Sequence, residues 1–223
     1  MIVAAREEAA RIGPTVESLR RALPDAQVIV ADDGSRDETS LVAMRAGAEV
    51  VARGRPHGKG GAMTAAAESV VDMAHDANPP VFVVCDADLG DSAATLTDLV
   101  DSVERGDCDL AVAAFARKQG GGLGLAVGFA RWAIRNLSGL ELNAPISGQR
   151  AMRGELLPHL LPFAAGFGME IGMTTDAVRA GYRVQEVELE LDHRATGRTL
   201  RGFLHRGRQL ADFLRVYISR RFR

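Results

Sequence analysis

Five short apolar runs, IVAA, QVIVA, AEVVA, VFVVC and DLAVAAF, punctuate the first half of the chain, and helical patterning fills the segments between them. Short β-branched runs bounded by turn residues read as strands, and connections this long allow neighbouring strands to pair in parallel. Helices are expected from about Glu8 to Ala22, from Asp37 to Ala46, from a glycine-rich start at Gly58 to Ala62, and from Ser92 to Glu104. The result is a βαβαβ beginning. With 223 residues the chain suits one substantial domain better than two. The expected class is α/β, with a Rossmann-type, mixed, mainly parallel sheet flanked by helices in a single domain.

Such a sheet gathers ligands beyond the carboxyl ends of its strands. Two acidic clusters stand there: Asp32 and Asp33 close VIVADDGS, and Asp86 and Asp88 close VFVVCDADL. Residues two apart in extended chain face the same side, so Ala87 acts as a spacer between two converging carboxylates. Beside a diphosphate these groups repel unless a hard cation such as Mg2+ or Mn2+ lies between them. Asp33 is placed to accept from a base or ribose group, while Gly34 permits the turn and Ser35 or Asp37 can cap the next helix. Lys59, in HGKGG, sits at a helix start where free N–H groups and the dipole favour an anion, with Gly58 before it. A P-loop is excluded, since Gly54 and Gly58 enclose three residues rather than four and Gly60 follows the lysine.

A net charge of −2 gives no general basis for nucleic-acid binding, and no nucleic-acid partner is expected. Positive charge is local: nine arginines lie from Arg194 to Arg223, opposed only by Asp212. From Thr199 onward apolar residues recur at three and four, which predicts a basic amphipathic helix over 199–223 that packs on the domain or lies on anionic lipid. Cys85 and Cys108 read as reduced core thiols. MIVAAREEAARIG has too short an apolar run for a signal peptide, and no stretch is apolar enough to span a membrane. The expected location is cytoplasmic, peripheral on the inner face of the membrane if the tail meets lipid.

Beyond these readings, the segments AAREEAARIG, ADDGSRDET, GKGGAM, CDADL, and SGQRAMR with GFGMEI and HRATGR resemble, in order, the motifs of family 2 glycosyltransferases of the GT-A fold. The acceptor-side motifs look most like polyprenyl-phosphate (dolichyl-phosphate-type) hexosyltransferases, and glucosyl-3-phosphoglycerate synthases are also similar. The resemblance implies a nucleotide-sugar half over 1–116 and an acceptor half over 117–198. It implies donor contacts at Ala4, Ala5, Arg6, Glu8, Asp32, Asp33, Gly58, Lys59, Asp86 and Ala87. It also implies Mg2+ or Mn2+ held by Asp86, Asp88 and His193. UDP-glucose is the first donor expected and GDP-mannose the second. The acceptor is phosphorylated and lipid-linked, with 3-phosphoglycerate or a nucleotide-sugar-binding relative without turnover as alternatives, and a homodimer is the candidate assembly. Two positions depart from the family pattern: Ala4 replaces its proline and Glu7 its asparagine.

The acceptor side rests on Arg117, Arg131 and Arg150, whose guanidiniums could converge on a phosphate, together with Ser147 and Gly148. Arg131 and Arg135 lie four apart on one expected helix face. Asp88 and Glu170 are the catalytic candidates. Glu170, within apolar GFGMEIGM, is the expected general base for a hydroxyl acceptor, because acids in apolar surroundings hold protons more readily. With a phosphate acceptor it orients the sugar or acceptor instead.

Overall fold

The computed structural model describes residues 1–115, 125–190 and 200–222. Its elements run β1 (Ile2–Ala5), α1 (Ile12–Ala22), β2 (Ile29–Asp32), α2 (Thr39–Arg45), β3 (Glu49–Ala52), α3 (Lys59–Glu68), β4 (Phe82–Asp86) and α4 (Thr97–Glu104). They continue with β5 (Leu110–Phe115), α5 (Leu125–Ser138), β6 (Arg150–Met152), α6 (Leu157–Leu160), α7 (Met169–Arg179), β7 (Val184–Leu189) and α8 (Leu200–Arg221).

The seven strands form one sheet in the order β3-β2-β1-β4-β6-β5-β7, parallel except for β6, which runs antiparallel to both β4 and β5. This is the expected mixed, mainly parallel α/β architecture. Successive strand residues point to opposite faces, so each strand feeds two cores. Val3, Val30, Val83 and Ala111 pack with α1 through Ile12 and Val16, and with α4 and the turn before it through Leu99 and Leu96. Ile2, Ile29, Val84 and Val112 pack on the other face with Met63, Ala66, Met169 and Met173. A third cluster joins α5, α7 and α8 through Ile134, Ile171, Phe213 and Val216. Cys85 and Cys108 are free and buried, as expected of core thiols.

Three local differences have physical causes. The first helix starts at Ile12 rather than Glu8, because the N–H groups of Glu7, Glu8 and Ala9 donate to the side chains of Ser35 (2.9 Å), Thr39 (2.8 Å) and Asp37 (3.1 Å). Those bonds commit the backbone to a loop, and Glu7 adopts a left-handed φ of 56° within it. The segment expected as one helix from Ser92 divides into a 3-10 turn at Gly90–Leu96 and then α4. Finally, SGQRAMR contributes the short strand β6, whose run of three residues is too brief for periodicity to reveal.

Candidate active site

Strand β1 lies between β2 and β4, so the chain's strand order reverses beside it, and a ligand crevice opens at such a switch point. Ala4 of β1 is in register with Asp86 of β4, and Ala5 with Asp32 of β2. Both acidic clusters therefore reach the same edge of the sheet, as the sequence implies.

The two clusters are built differently. Asp32 is buried and accepts the backbone N–H of Ser35 (2.9 Å), with the hydroxyls of Ser35 (2.6 Å) and Ser40 also donating to it. Asp33 accepts the backbone N–H groups of His57 (2.6 Å) and Gly58 (3.0 Å), and the half-exposed Arg6 approaches it at 3.6 Å. Asp33 thereby fixes the loop that launches α3. Gly58 has φ +80°, and a Cβ there would meet the Cα of Gly166 at 3.2 Å. Glu8 lies in the loop before α1, with its N–H held by Thr39.

Lys59 begins α3 and directs its ammonium to two carboxylates, 2.6 Å from Asp86 Oδ1 and 2.9 Å from Glu170 Oε1. Burial, the largest single influence, favours the neutral amine, but Asp86 and Glu170 together outweigh it and hold Lys59 above its ordinary pKa. Gln149 Nε2 donates to the other Asp86 oxygen at 2.8 Å, and Ser147 Oγ lies 3.2 Å from Gln149 Oε1. Gly148 passes directly over this cluster: a Cβ there would stand 2.5 Å from Asp86 Oδ2 and 2.6 Å from Lys59 Nζ. Two halves of the chain thus meet at one carboxylate. Gln149 escaped the sequence reading although its neighbours Ser147, Gly148 and Arg150 did not; only the strand register reveals where it points.

Several expectations need correction. Glu170 occupies the first turn of α7 and is buried, but it faces the Lys59 ammonium at 2.9 Å rather than purely apolar surroundings. Arg150 does not face an acceptor. It is wholly buried and donates to Ser147 O (2.9 Å), Thr174 Oγ1 (2.9 Å) and Pro145 O (3.2 Å), pinning the 145–150 loop to α7. Burial pulls its guanidinium down to about 10, against the opposing attraction of Glu170 and Glu186. Arg131 donates to Leu142 O and Asn143 O, both at 3.0 Å, and closes the loop after α5. Arg135 pairs with Glu141 on the surface. Arg117 and His193 lie outside the described residues.

Asp88 is mostly buried, with Arg11 at 3.9 Å from its Oδ2. The pair Asp86 and Asp88 offers oxygen donors at the sheet edge, which suit a hard divalent cation, and two cations, Lys59 and Arg11, face them. No group of three or more His, Cys, Asp or Glu side chains suited to a metal occurs among the described residues. The cavities lined by His159 to Ala164 and by Ser18, Arg21 and Asp91 lie away from Asp86.

The glycosyl transferase family 2 model matches residues 1–168. The chain is a family 2 glycosyltransferase. An undecaprenyl-phosphate mannosyltransferase of Micrococcus luteus is 30% identical over 199 residues, covering 82% of this chain and 79% of that protein. An uncharacterized glycosyltransferase of Mycobacterium tuberculosis is 30% identical over 200 residues, 85% of each chain. Among solved structures, M. tuberculosis glucosyl-3-phosphoglycerate synthase in complex with phosphoglyceric acid matches with a TM-score of 0.79 at 27% identity, over 98% of this chain and 78% of that one. The same enzyme in complex with Mn2+, UDP and glucosyl-3-phosphoglycerate matches at 0.76 and 28% identity, with the same coverage. This family 2 glycosyltransferase therefore has the GT-A fold, and its switch-point carboxylates belong to a sugar-transferring enzyme.

Proposed function

We propose that this glycosyltransferase moves a hexose, glucose first, from a nucleotide diphosphate sugar to a polyprenyl phosphate. The observation that carries the reading is Asp86, held between Lys59 and Gln149 beneath bare Gly148 at the switch point. The Micrococcus luteus relative, named for transfer to undecaprenyl phosphate, supports the acceptor.

In this reading an acceptor phosphate oxygen forms a bond to the anomeric carbon. The bond from that carbon to the diphosphate oxygen breaks, and the nucleoside diphosphate leaves with its electron pair. A phosphate oxygen is already anionic, so no proton need be removed, which agrees with a Glu170 engaged by Lys59. Asp86 and Asp88, with His193, would hold Mg2+ or Mn2+, which neutralises charge on the departing diphosphate. Lys59, at the N-terminus of α3, would turn from the carboxylates toward that diphosphate, adding the helix's own free N–H groups. Asp33 keeps the α3 entry loop in place, and the small Ala4 and Ala5 with Arg6 border the space for the nucleoside. Ser147 and Gly148 carry the acceptor side up to the same carboxylate.

A second reading is transfer to a small phosphorylated acceptor. Its support is the likeness to the synthase solved with phosphoglyceric acid. Both are tested by incubating the purified chain with labelled UDP-glucose or GDP-mannose, with and without Mn2+, and offering undecaprenyl phosphate or 3-phosphoglycerate. Metal-dependent label in the lipid phase supports the first reading, and label on 3-phosphoglycerate replaces it with the second. Full transfer by Asp88→Ala would remove the metal assignment.

A further inference from the structure

Helix α8 carries apolar residues on two opposite sides. Phe213 and Val216 are buried against α5, α7 and the Gly166–Gly168 turn, and Arg220 on the same side pairs with Asp176 at 2.6 Å. Successive residues in a helix turn by about 100°, so positions four apart drift slowly along one side. Leu210 (41% exposed), Leu214 (47%), Ile218 (48%) and Phe222 (86%) follow that spacing and face away from the domain. A helix that only covered its own domain would need one apolar side, and none of the described residues covers the outward one.

We infer that this outward stripe is a membrane-docking face that seats the enzyme on an anionic lipid surface. The charge pattern selects that occupant. Exposed Arg215 and Arg221 flank the stripe, and α8 as a whole has six arginines against one acid. The acid, Asp212, is turned inward, where it accepts the Phe167 N–H at 3.2 Å and pairs with Arg215 at 3.3 Å. A second copy of the chain docked through the same stripe would bring cationic rim to cationic rim, whereas phosphate headgroups complement it. Trp132 of α5, half exposed and 4.8 Å ring to ring from Tyr217, stands beside the helix as an aromatic suited to the headgroup layer. The inference rests on the polyprenyl-phosphate reading for its purpose, since docking would bring the site to where that acceptor resides. The inward side links α8 to the site: a Cβ on Gly166 would meet Asp212 at 2.1 Å, and Gly166 itself packs on Gly58 beside Lys59.

The test compares full-length protein with Leu214→Glu/Ile218→Glu and with Arg215→Gln/Arg221→Gln in sedimentation with phosphatidylglycerol-phosphatidylcholine vesicles. All four positions are exposed, and unchanged thermal unfolding verifies that the variants fold. The expected result is binding to the anionic vesicles, about a hundredfold weaker for the glutamate pair and about tenfold weaker for the glutamine pair. Calorimetric binding of UDP with Mn2+ should stay as in the parent. Failure of the parent to bind vesicles, or equal binding by the glutamate pair, would overturn the inference. So would a concentration-dependent dimer that the glutamate pair dissolves, which would assign the stripe to a second copy. Transfer to undecaprenyl phosphate in detergent micelles separates the readings: its absence in a vesicle-binding parent refutes the acceptor, not the docking face.

Discussion

Replacing Lys59 with methionine keeps the apolar stem of the side chain and deletes the charge that two carboxylates share. Asp86 and Glu170 each lie within 3 Å of the same nitrogen, so their engaged oxygens are no more than 5.5 Å apart. At an effective dielectric of about 20, two unit charges at that distance repel by about 3 kcal/mol. The side chains are 19%, 26% and 8% exposed for Lys59, Asp86 and Glu170, so water screens the loss only in part. Breaking a buried pair by removing one member costs about 3–5 kcal/mol, and the partial exposure places Lys59→Met near 2–4 kcal/mol. For a chain of this size that lowers Tm by roughly 10 °C. Adding Glu170→Gln removes the repulsion, so the double variant should recover most of the loss, while donor affinity stays impaired for lack of the cation. The folded pKa of Lys59 is raised, so its contribution is fully present below the unfolded value of about 10.4 and is lost only as pH rises through the higher folded value. The penalty measured by urea unfolding should therefore be the same at pH 7 and pH 9. A loss under about 1 kcal/mol, or a double variant no more stable than Lys59→Met, would refute the bridging role.

Gln149→Leu removes the amide donor from Asp86 and should raise the donor KM at least tenfold, since a hydrogen bond to a charged group is worth about 1.5–3 kcal/mol; steady-state kinetics will show it. Arg150→Met should lower unfolding stability by about 3 kcal/mol in urea titrations without a selective change in acceptor KM, because its guanidinium serves three partners within the protein. Burial pushes the Cys85 thiol up to about 12 and also raises Cys108. Both should resist a disulfide reagent at pH 8 until urea is added. Stability should decline as pH rises above about 8.5, where the unfolded thiols ionise and the folded ones do not. That early alkaline slope should disappear in the Cys85→Ala/Cys108→Ala chain.

The parts of this molecule legible in sequence were those that repeat. Strands β1 to β5 showed themselves because their apolar residues serve two cores at once, and the placement of Asp32 and Asp86 followed from the parallel crossovers alone. What remained hidden depends on long-range register. Strand β6 is three residues long, so no periodicity marks it, yet its insertion between β4 and β5 is what carries Gln149 to Asp86 and hides Arg150. An arginine in SGQR looks identical in sequence whether it meets a ligand's phosphate or its own loop's carbonyls. The surroundings of Glu170 were hidden for a related reason: its sequence neighbours are apolar, while its spatial neighbour is a lysine 111 residues away.

On the proposed reading, Lys59 connects these observations to turnover. With its charge committed to Asp86 and Glu170, the ammonium occupies the space where a diphosphate and its counter-ion would compete for the same carboxylate. Donor binding must then exchange one set of charge pairs for another, and such an exchange costs least when neither set is left unpaired during the change. The fold supplies alternatives on each side: Gln149 continues to hold Asp86, and the N-terminus of α3 directs its N–H groups toward any anion that Lys59 follows. Gly58, Gly148 and Gly166 keep this space free of side chains, and the inward side of α8 abuts the last of them. On the proposed reading Lys59 carries charge between the carboxylates and the donor, and its substitution should harm donor binding even where stability has been restored.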